Sequence, residues 1–246
     1  MREPEEQRLH RPRPPQLDER LTAAFEMVPS CGICADIGAD HGRLSAALLL
    51  SGRVQHVLAA DVSAKALAKA KARLMALGLL SRATLAVADG LQALQMAPQG
   101  RADCICVLGM GGETIAGILL RGRAALQGAT LVLGAQTELP LLRQAVCEAG
   151  YRIRQEAVAE AAGRFYVLMQ ATPAAQEEAG YDDRQLLLGP CLLIERPEQW
   201  MAVLCRRKQL LEAAWEAMRQ ASAPKDAARL LEVEKELSYM REVLEK

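Results

Sequence analysis

Ala35-Asp36-Ile37-Gly38-Ala39-Asp40-His41-Gly42-Arg43-Leu44 reads as the end of an apolar strand, an acid, a glycine turn and the start of a helix. Glycine at such a turn lets backbone approach a ligand closely. Asp36, Asp40 and His41 bring polar side chains to the carboxyl edge of a strand, where open α/β sheets bind ligands. The spacing is not the G-x-G-x-x-G of pyrophosphate binders, whose anionic phosphates want bare helix N–H groups and would be repelled by acids. Acidic side chains suit a ligand with hydroxyls and positive charge. S-adenosylmethionine (SAM), with a ribose diol, an ammonium and a sulfonium, is therefore the expected cofactor. An acid and a glycine that merely cap a helix after a core strand would look the same over so short a stretch, so support must come from further along the chain.

Strand-like apolar runs near 33–37, 57–61, 84–87, 102–108 and 130–133 alternate with helical segments at 44–50, 64–78, 113–120 and 139–149, the pattern of a mostly parallel sheet covered by helices. Runs at 151–159 and 164–171, separated by Glu160-Ala161-Ala162-Gly163, are compatible with a closing antiparallel hairpin. The expected fold is α/β, a Rossmann-like seven-stranded sheet of the SAM-methyltransferase outline. The ends of successive runs then fall in register. Asp61 closes the second, 25 residues beyond Asp36, where an acid can take both ribose hydroxyls. Ala88-Asp89-Gly90 follows the third, with a carboxylate for the adenine amino group and a glycine that leaves room for the ring. Leu108-Gly109-Met110-Gly111-Gly112-Glu113 follows the fourth and carries no base, nucleophile or metal ligand apart from Glu113. Methyl transfer needs little more, because a sulfonium already carries its leaving group and the work lies in alignment. A carbonyl near Gly109 can accept from an exocyclic amine while Met110 packs on a ring.

The composition is that of an ordinary globular protein: 246 residues, 51% hydrophobic, 24% charged, with formal net charge zero. No apolar run reaches membrane-spanning length, and Met1–Glu6 lacks the apolar core of a signal peptide, so a cytoplasmic protein without a membrane partner is expected. Seven cysteines, with Cys34, Cys104 and Cys106 inside strand-like runs, indicate thiols in a reducing compartment. Cys31-Gly32-Ile33-Cys34 has no second pair and no histidine cluster, so these cysteines are read as core residues and no metal is expected. Three regions follow. Residues 1–16 form a flexible basic, proline-rich tail carrying Arg8, His10, Arg11 and Arg13; 17–172 form the Rossmann-like domain; 173–246 form a helical hairpin. In the last region Leu186–Ile194 is apolar around Gly189-Pro190, and two helices are broken at Ser222-Ala223-Pro224. The stripe Leu230, Val233, Leu237, Met240 and Leu244 can pack against Leu204, Leu211 and Met218, with Trp215 beside them. The same stripe could face a second copy, which leaves a homodimer through these helices open. Arg206-Arg207-Lys208 adds a basic cluster.

Asp36-Ile37-Gly38-Ala39-Asp40-His41, Ala88-Asp89-Gly90-Leu91, Gly109-Met110-Gly111-Gly112, Gly150-Tyr151-Arg152-Ile153 and Leu188-Gly189-Pro190 together resemble the TrmK family of bacterial tRNA adenine N1-methyltransferases. The resemblance runs from about Leu17 to the C-terminus. It implies a Rossmann-like domain with a C-terminal helical, coiled-coil-like domain, SAM as cofactor, and methylation of N1 of adenine 22 in tRNA. It also implies direct attack of neutral adenine N1 on the methyl carbon without a strong base, and a target base unstacked from folded tRNA. The product is a cation that a carboxylate or carbonyl can stabilise, with Asp40 and Asp89 as candidates. On that reading Asp36, Gly38, Asp40, His41, Asp61, Ala88, Asp89, Gly90 and Gly109 bind the cofactor. Asp40, Asp89, Gly109, Met110 and Gly111 surround the reacting atoms. Where relatives carry a proline-containing loop after the fifth strand, this chain reads Gly134-Ala135-Gln136-Thr137, with Gln136 still able to read a base. A methyltransferase with another substrate, or a SAM- or RNA-binding protein without catalysis, is the alternative.

Overall fold

The computed structural model describes residues 15–175, 178, 180–220 and 227–245. The expected tail residues Arg8, His10, Arg11 and Arg13, and the expected break at Ser222-Ala223-Pro224, lie outside them. Seven strands form one sheet: β1 Cys31–Ile37, β2 Val54–Asp61, β3 Ala83–Val87, β4 Cys104–Leu108, β5 Thr130–Ala135, β6 Tyr151–Ala161 and β7 Arg164–Pro173. Their order is β3-β2-β1-β4-β5-β7-β6, parallel except for β7, which runs antiparallel to both neighbours. The order reverses between β1 and β4. That switch point is where ligands bind in such sheets, and both glycine-containing stretches singled out above end there.

Helices α1 Glu19–Met27, α2 Arg43–Leu50, α3 Ala64–Ala76, α4 Gly112–Arg121 and α5 Leu139–Glu148 cover the sheet, and α6 Asp183–Leu188, α7 Leu192–Glu195, α8 Glu198–Gln220 and α9 Ala227–Leu244 complete the chain. The central strands are buried on both faces, which is why they read as unbroken apolar runs. Cys34, Cys104 and Cys106 are fully buried core residues on β1 and β4, with Cys34 and Cys106 Sγ atoms 3.7 Å apart. Several boundaries differ from the sequence reading. β2 starts at Val54, three residues early, because pairing with β1 carries Gln55 and His56 into the ladder despite their polarity. α3 stops at Ala76 rather than 78, where Gly78 takes φ +69° and Leu79 N–H donates back to the Leu74 carbonyl, a Schellman-type end. The hairpin turn shrinks to Ala162-Gly163, both with positive φ, the backbone that a two-residue turn between right-twisted strands requires. The reading places no helix before β1, yet α1 is there, capped by Asp18, whose carboxylate accepts the Leu21 N–H at 2.9 Å.

In the C-terminal region, Met240 and Val243 of α9 are buried together with Trp200 and Leu204 of α8 and with Leu188 and Leu192, and Val233 and Leu237 of α9 are buried as well. The expected stripe is therefore consumed inside the chain, shifted at its end from Leu244 to Val243. This region packs on Val158 of β6 and Val167 of β7, and a buried ion pair adds a polar anchor. Arg143 on α5 and Glu156 on β6 are 1% and 2% exposed, with Nε to Oε1 at 2.9 Å. Arg143 also donates to the Leu186 and Leu187 carbonyls, and Glu156 accepts the Cys191 and Leu192 N–H groups. Gly189 passes so close that a Cβ there would lie 2.6 Å from Glu156 Oε2, which accounts for the glycine in Leu188-Gly189-Pro190. Arg143→Leu strands a buried carboxylate, and we predict a loss of about 3–5 kcal/mol. Replacing both partners by apolar residues costs less than this single change, a difference that urea denaturation midpoints will show.

Candidate active site

The loop after β1 is held in place by backbone hydrogen bonds and by glycine. Gly38, at φ +77°, and Ala39 both donate to the Ala60 carbonyl at the end of β2, at 2.8 and 3.0 Å. Gly42, at φ +63°, lies against α3, where a Cβ would sit 2.9 Å from that of Ala70. Asp40 takes a positive φ of +43°, and its N–H donates to Asp61 Oδ2 at 3.3 Å, while the Ser63 N–H donates to Oδ1 at 2.8 Å. Asp61 is thus oriented by two main-chain donors. Asp36 is buried and accepts the Ser45 hydroxyl at 2.6 Å; burial raises its pKa to about 6, and the nearby Asp61 charge pushes the same way. His41 Nε2 lies 3.5 Å from Asp40 Oδ2 and 3.4 Å from Lys69 Nζ, and its carbonyl accepts from Arg73 Nε at 2.8 Å.

These groups line a cavity of about 650 Å³ at the switch point. Asp36, Gly38, Asp40, His41, Asp61, Gly109 and Met110 all face it. A second cavity of about 260 Å³ adjoins it, sharing Arg20, Gly109 and Met110 and adding Gly111, Gln136, Thr137, Arg164 and Tyr166. The Gly109–Met110 segment divides the two. Met110 reaches back over the β1 loop, so that a Cβ on Gly38 would lie 2.5 Å from Met110 Cε. The third strand end behaves differently. Ala88 N–H donates to the Asp61 carbonyl at 3.2 Å, but exposed Asp89 and buried Gly90 border a separate recess of about 100 Å³ with Ile118 and Arg121. The 3-10 turn that starts at Gly90 packs against α4, with the Ile118 side chain 3.1 Å from a Cβ built on Gly90, and this draws the β3 end away from the main cavity.

The sequence reading missed two features. Gly112 rather than Gly111 is the residue whose missing side chain the fold requires. A Cβ on Gly112 would meet the Thr137 and Glu138 carbonyl oxygens at 2.4 and 2.5 Å, and its N–H donates to the Thr137 carbonyl at 3.0 Å. A Cβ on Gly111 meets only the Thr137 hydroxyl, at 3.2 Å. The loop after β4 is therefore clamped to the loop after β5. The other omission is Arg20, which enters from α1; the Asp18 cap followed by Leu21, Ala24 and Met27 at three-residue spacing was the available signal.

Residues 17–169 match the family model described as a methyltransferase domain. The chain belongs to this methyltransferase family. The methyltransferase is 27% identical over 236 residues to the tRNA (adenine(22)-N(1))-methyltransferase of Bacillus subtilis (strain 168), a match that covers 94% of this chain and 98% of that protein. Its fold superposes on the crystal structure of the B. subtilis M1A22 tRNA methyltransferase TrmK with a TM-score of 0.84 at 25% identity, covering 94% and 99% of the two chains. A putative tRNA (m1A22) methyltransferase from Streptococcus pneumoniae, solved in complex with S-adenosyl-L-methionine, gives 0.81 at 24% identity, covering 93% and 100%. All three matches include the C-terminal helices as well as the sheet.

Two predictions follow from this geometry. Asp36 has a raised pKa in the folded chain, so its contribution to stability is complete below the ordinary carboxylate value and is lost as pH rises through about 6. Asp36→Asn keeps an acceptor for Ser45 but removes the buried charge. The methyltransferase should then melt higher than the parent at pH 7.5, by on the order of 1–3 kcal/mol, with the gain vanishing near pH 4. Gly112→Ala should abolish turnover by breaking the loop clamp while Gly111→Ala retains most of it, as steady-state rates of the two folded variants will show.

Proposed function

We propose that this methyltransferase uses SAM to methylate N1 of adenine 22 in tRNA. The observation that carries the proposal is the pair of cavities on either side of Gly109–Met110, in a chain whose likeness to a tRNA (adenine(22)-N(1))-methyltransferase extends through both its regions. The larger cavity fits the cofactor on chemical grounds. Its carboxylates, Asp36, Asp40 and Asp61, complement hydroxyls and positive charge and would oppose a pyrophosphate. When bound there, SAM supplies a methyl group already activated on a sulfonium.

In this reading Asp61 holds the ribose, its carboxylate fixed by the Asp40 and Ser63 N–H groups. Asp36, Asp40 and His41 with Gly38 form the remaining wall against the cationic amino-acid end. Ala88, Asp89 and Gly90 stay assigned to the adenine side, at the edge of the site, on their place at the end of β3. Gly109 and Met110 set the acceptor base against the donor, and Gly111 leaves space beside it. N1 of neutral adenine is itself the nucleophile, so no residue need take a proton before the bond forms. The chain's work is to bring two reactants into line and to exclude water between them. Asp40, exposed and acidic on the wall of the larger cavity, favours the cation that develops on the base. We also assign the tail 1–16, the sheet domain 17–172 and the hairpin 173–246 as separate units. A tRNA substrate places the enzyme in the cell interior, and among the described residues no helix is long and apolar enough to cross a membrane.

Incubation of the protein and SAM with unmodified bacterial tRNA transcripts should give a reverse-transcription stop at adenine 22. Loss of the stop when that adenine is changed to guanine confirms the position, and a stop elsewhere or none rejects it. Asp61→Ala should weaken SAM binding at least about tenfold by calorimetry, because it removes charge-assisted hydrogen bonds to the ribose. An unchanged dissociation constant in the folded variant would remove Asp61 from the site.

A further inference from the structure

The two adjoining cavities differ in charge. The larger has Asp36, Asp40 and Asp61 on its wall beside Arg20 and Arg43, whereas the smaller has Arg20 and Arg164 and, among the described residues, no acid. Arg164, at the start of β7, is exposed and has no acidic partner among the described residues. Arg20 is mostly buried, and its Nε has no hydrogen-bond partner among them. Among the described residues its one carboxylate neighbour, Asp18, stands at 3.6 Å and is already committed to capping α1. The Arg20 guanidinium lies 5.2 Å from the centre of the Tyr166 ring, and a Cβ on Gly109 would be 3.2 Å from Arg20 Nη1, so the charge sits at the junction of the cavities. Two guanidinium groups are a poor lining for an adenine that becomes a cation when methylated at N1. They are a good lining for an anion, and the planar fork of arginine matches phosphate oxygens in particular.

We infer that the smaller cavity is a phosphate subsite: Arg20 and Arg164 hold a phosphodiester flanking the acceptor adenosine, beside Tyr166, and leave Gln136 and Thr137 to the base. This rests on the tRNA reading above and adds to it a reason why the enzyme takes a nucleotide within a strand rather than a free base or nucleoside. Arg20 and Arg164 are then positioning residues. They anchor the backbone at a fixed distance from the Gly109–Met110 segment, so that the unstacked base can enter only in one direction.

The test uses full-length protein, saturating SAM and tRNA assembled with a single methylphosphonate, a neutral linkage, on the 5′ or the 3′ side of the target adenosine. For the parent enzyme, one of the two neutral linkages should raise KM for tRNA about tenfold, with kcat within about twofold. Arg164→Gln should raise KM for natural tRNA by a similar factor and lose its sensitivity to that linkage. Arg20→Lys should restore part of what Arg20→Gln loses, and SAM affinity should stay unchanged in all three. A parent enzyme indifferent to both neutral linkages, or variants that keep the full response, would overturn the inference. So would an Arg20→Gln protein whose loss is confined to SAM binding, which would place Arg20 in the donor cavity. Turnover of natural tRNA by the parent is the control: its absence rejects the tRNA reading itself, whereas turnover without linkage sensitivity rejects only the phosphate subsite.

Discussion

The buried pair Arg143–Glu156 is the constraint on which the arrangement of this molecule turns. Desolvating two charges is expensive, and the cost is offset by further hydrogen bonds to the residues that follow the sheet: two carbonyls from α6 for the arginine Nη1, two N–H groups at the start of α7 for the carboxylate. The pair therefore does more than join α5 to β6. It specifies where the chain leaves the hairpin β6–β7 and where α8 and α9 must pack. α5 begins one residue after the Gln136–Glu138 loop that borders the smaller cavity, so the position of the C-terminal region and the shape of that cavity are set by the same helix.

A second clamp carries this rigidity into the site. Gly112 and Thr137 join the loops after β4 and β5 by a main-chain hydrogen bond, with no room for a side chain between them. The segment Gly109–Met110 is consequently held between two cavities of different charge. The larger has three carboxylates beside Arg20 and Arg43, and the smaller has Arg20 and Arg164 without an acid among the described residues, so that in the proposed reaction a cationic cofactor and an anionic strand would meet different walls. The buried Asp36 carries a cost, since burial raises its pKa to about 6 and its charge opposes the stability of the fold.

The basic cluster of the hairpin is partly paired within the C-terminal helices. Arg207 pairs with Glu236 at 2.6 Å and Lys208 stands 3.7 Å from Glu212, which also receives Arg241 at 3.0 Å. Two of the three cations in Arg206-Arg207-Lys208 thus have carboxylate partners between α8 and α9 or along α8. Exposed Lys69 on α3 places positive charge beside His41, with Nζ 3.4 Å from the imidazole Nε2.

The alternation of apolar runs with helical segments was enough to set the seven strands and their class, because buried parallel strands must be apolar throughout and helices must present one apolar face. The acids at strand ends were legible for the same reason: strand ends of such a sheet share one edge, so Asp36 and Asp61 meet although they stand 25 residues apart. What the sequence could not settle depended on approach between distant segments. That Gly112 and not Gly111 is sterically required follows from a carbonyl in another loop, and that Asp89 stands outside the main cavity follows from a 3-10 turn drawn against α4. Arg20 and Arg164 belong to segments 144 residues apart that meet only because β7 lies antiparallel beside β5, with α1 against β7 and β6. Local pattern encodes which face of an element is buried; the charge and shape of a cavity depend on which elements the fold brings together.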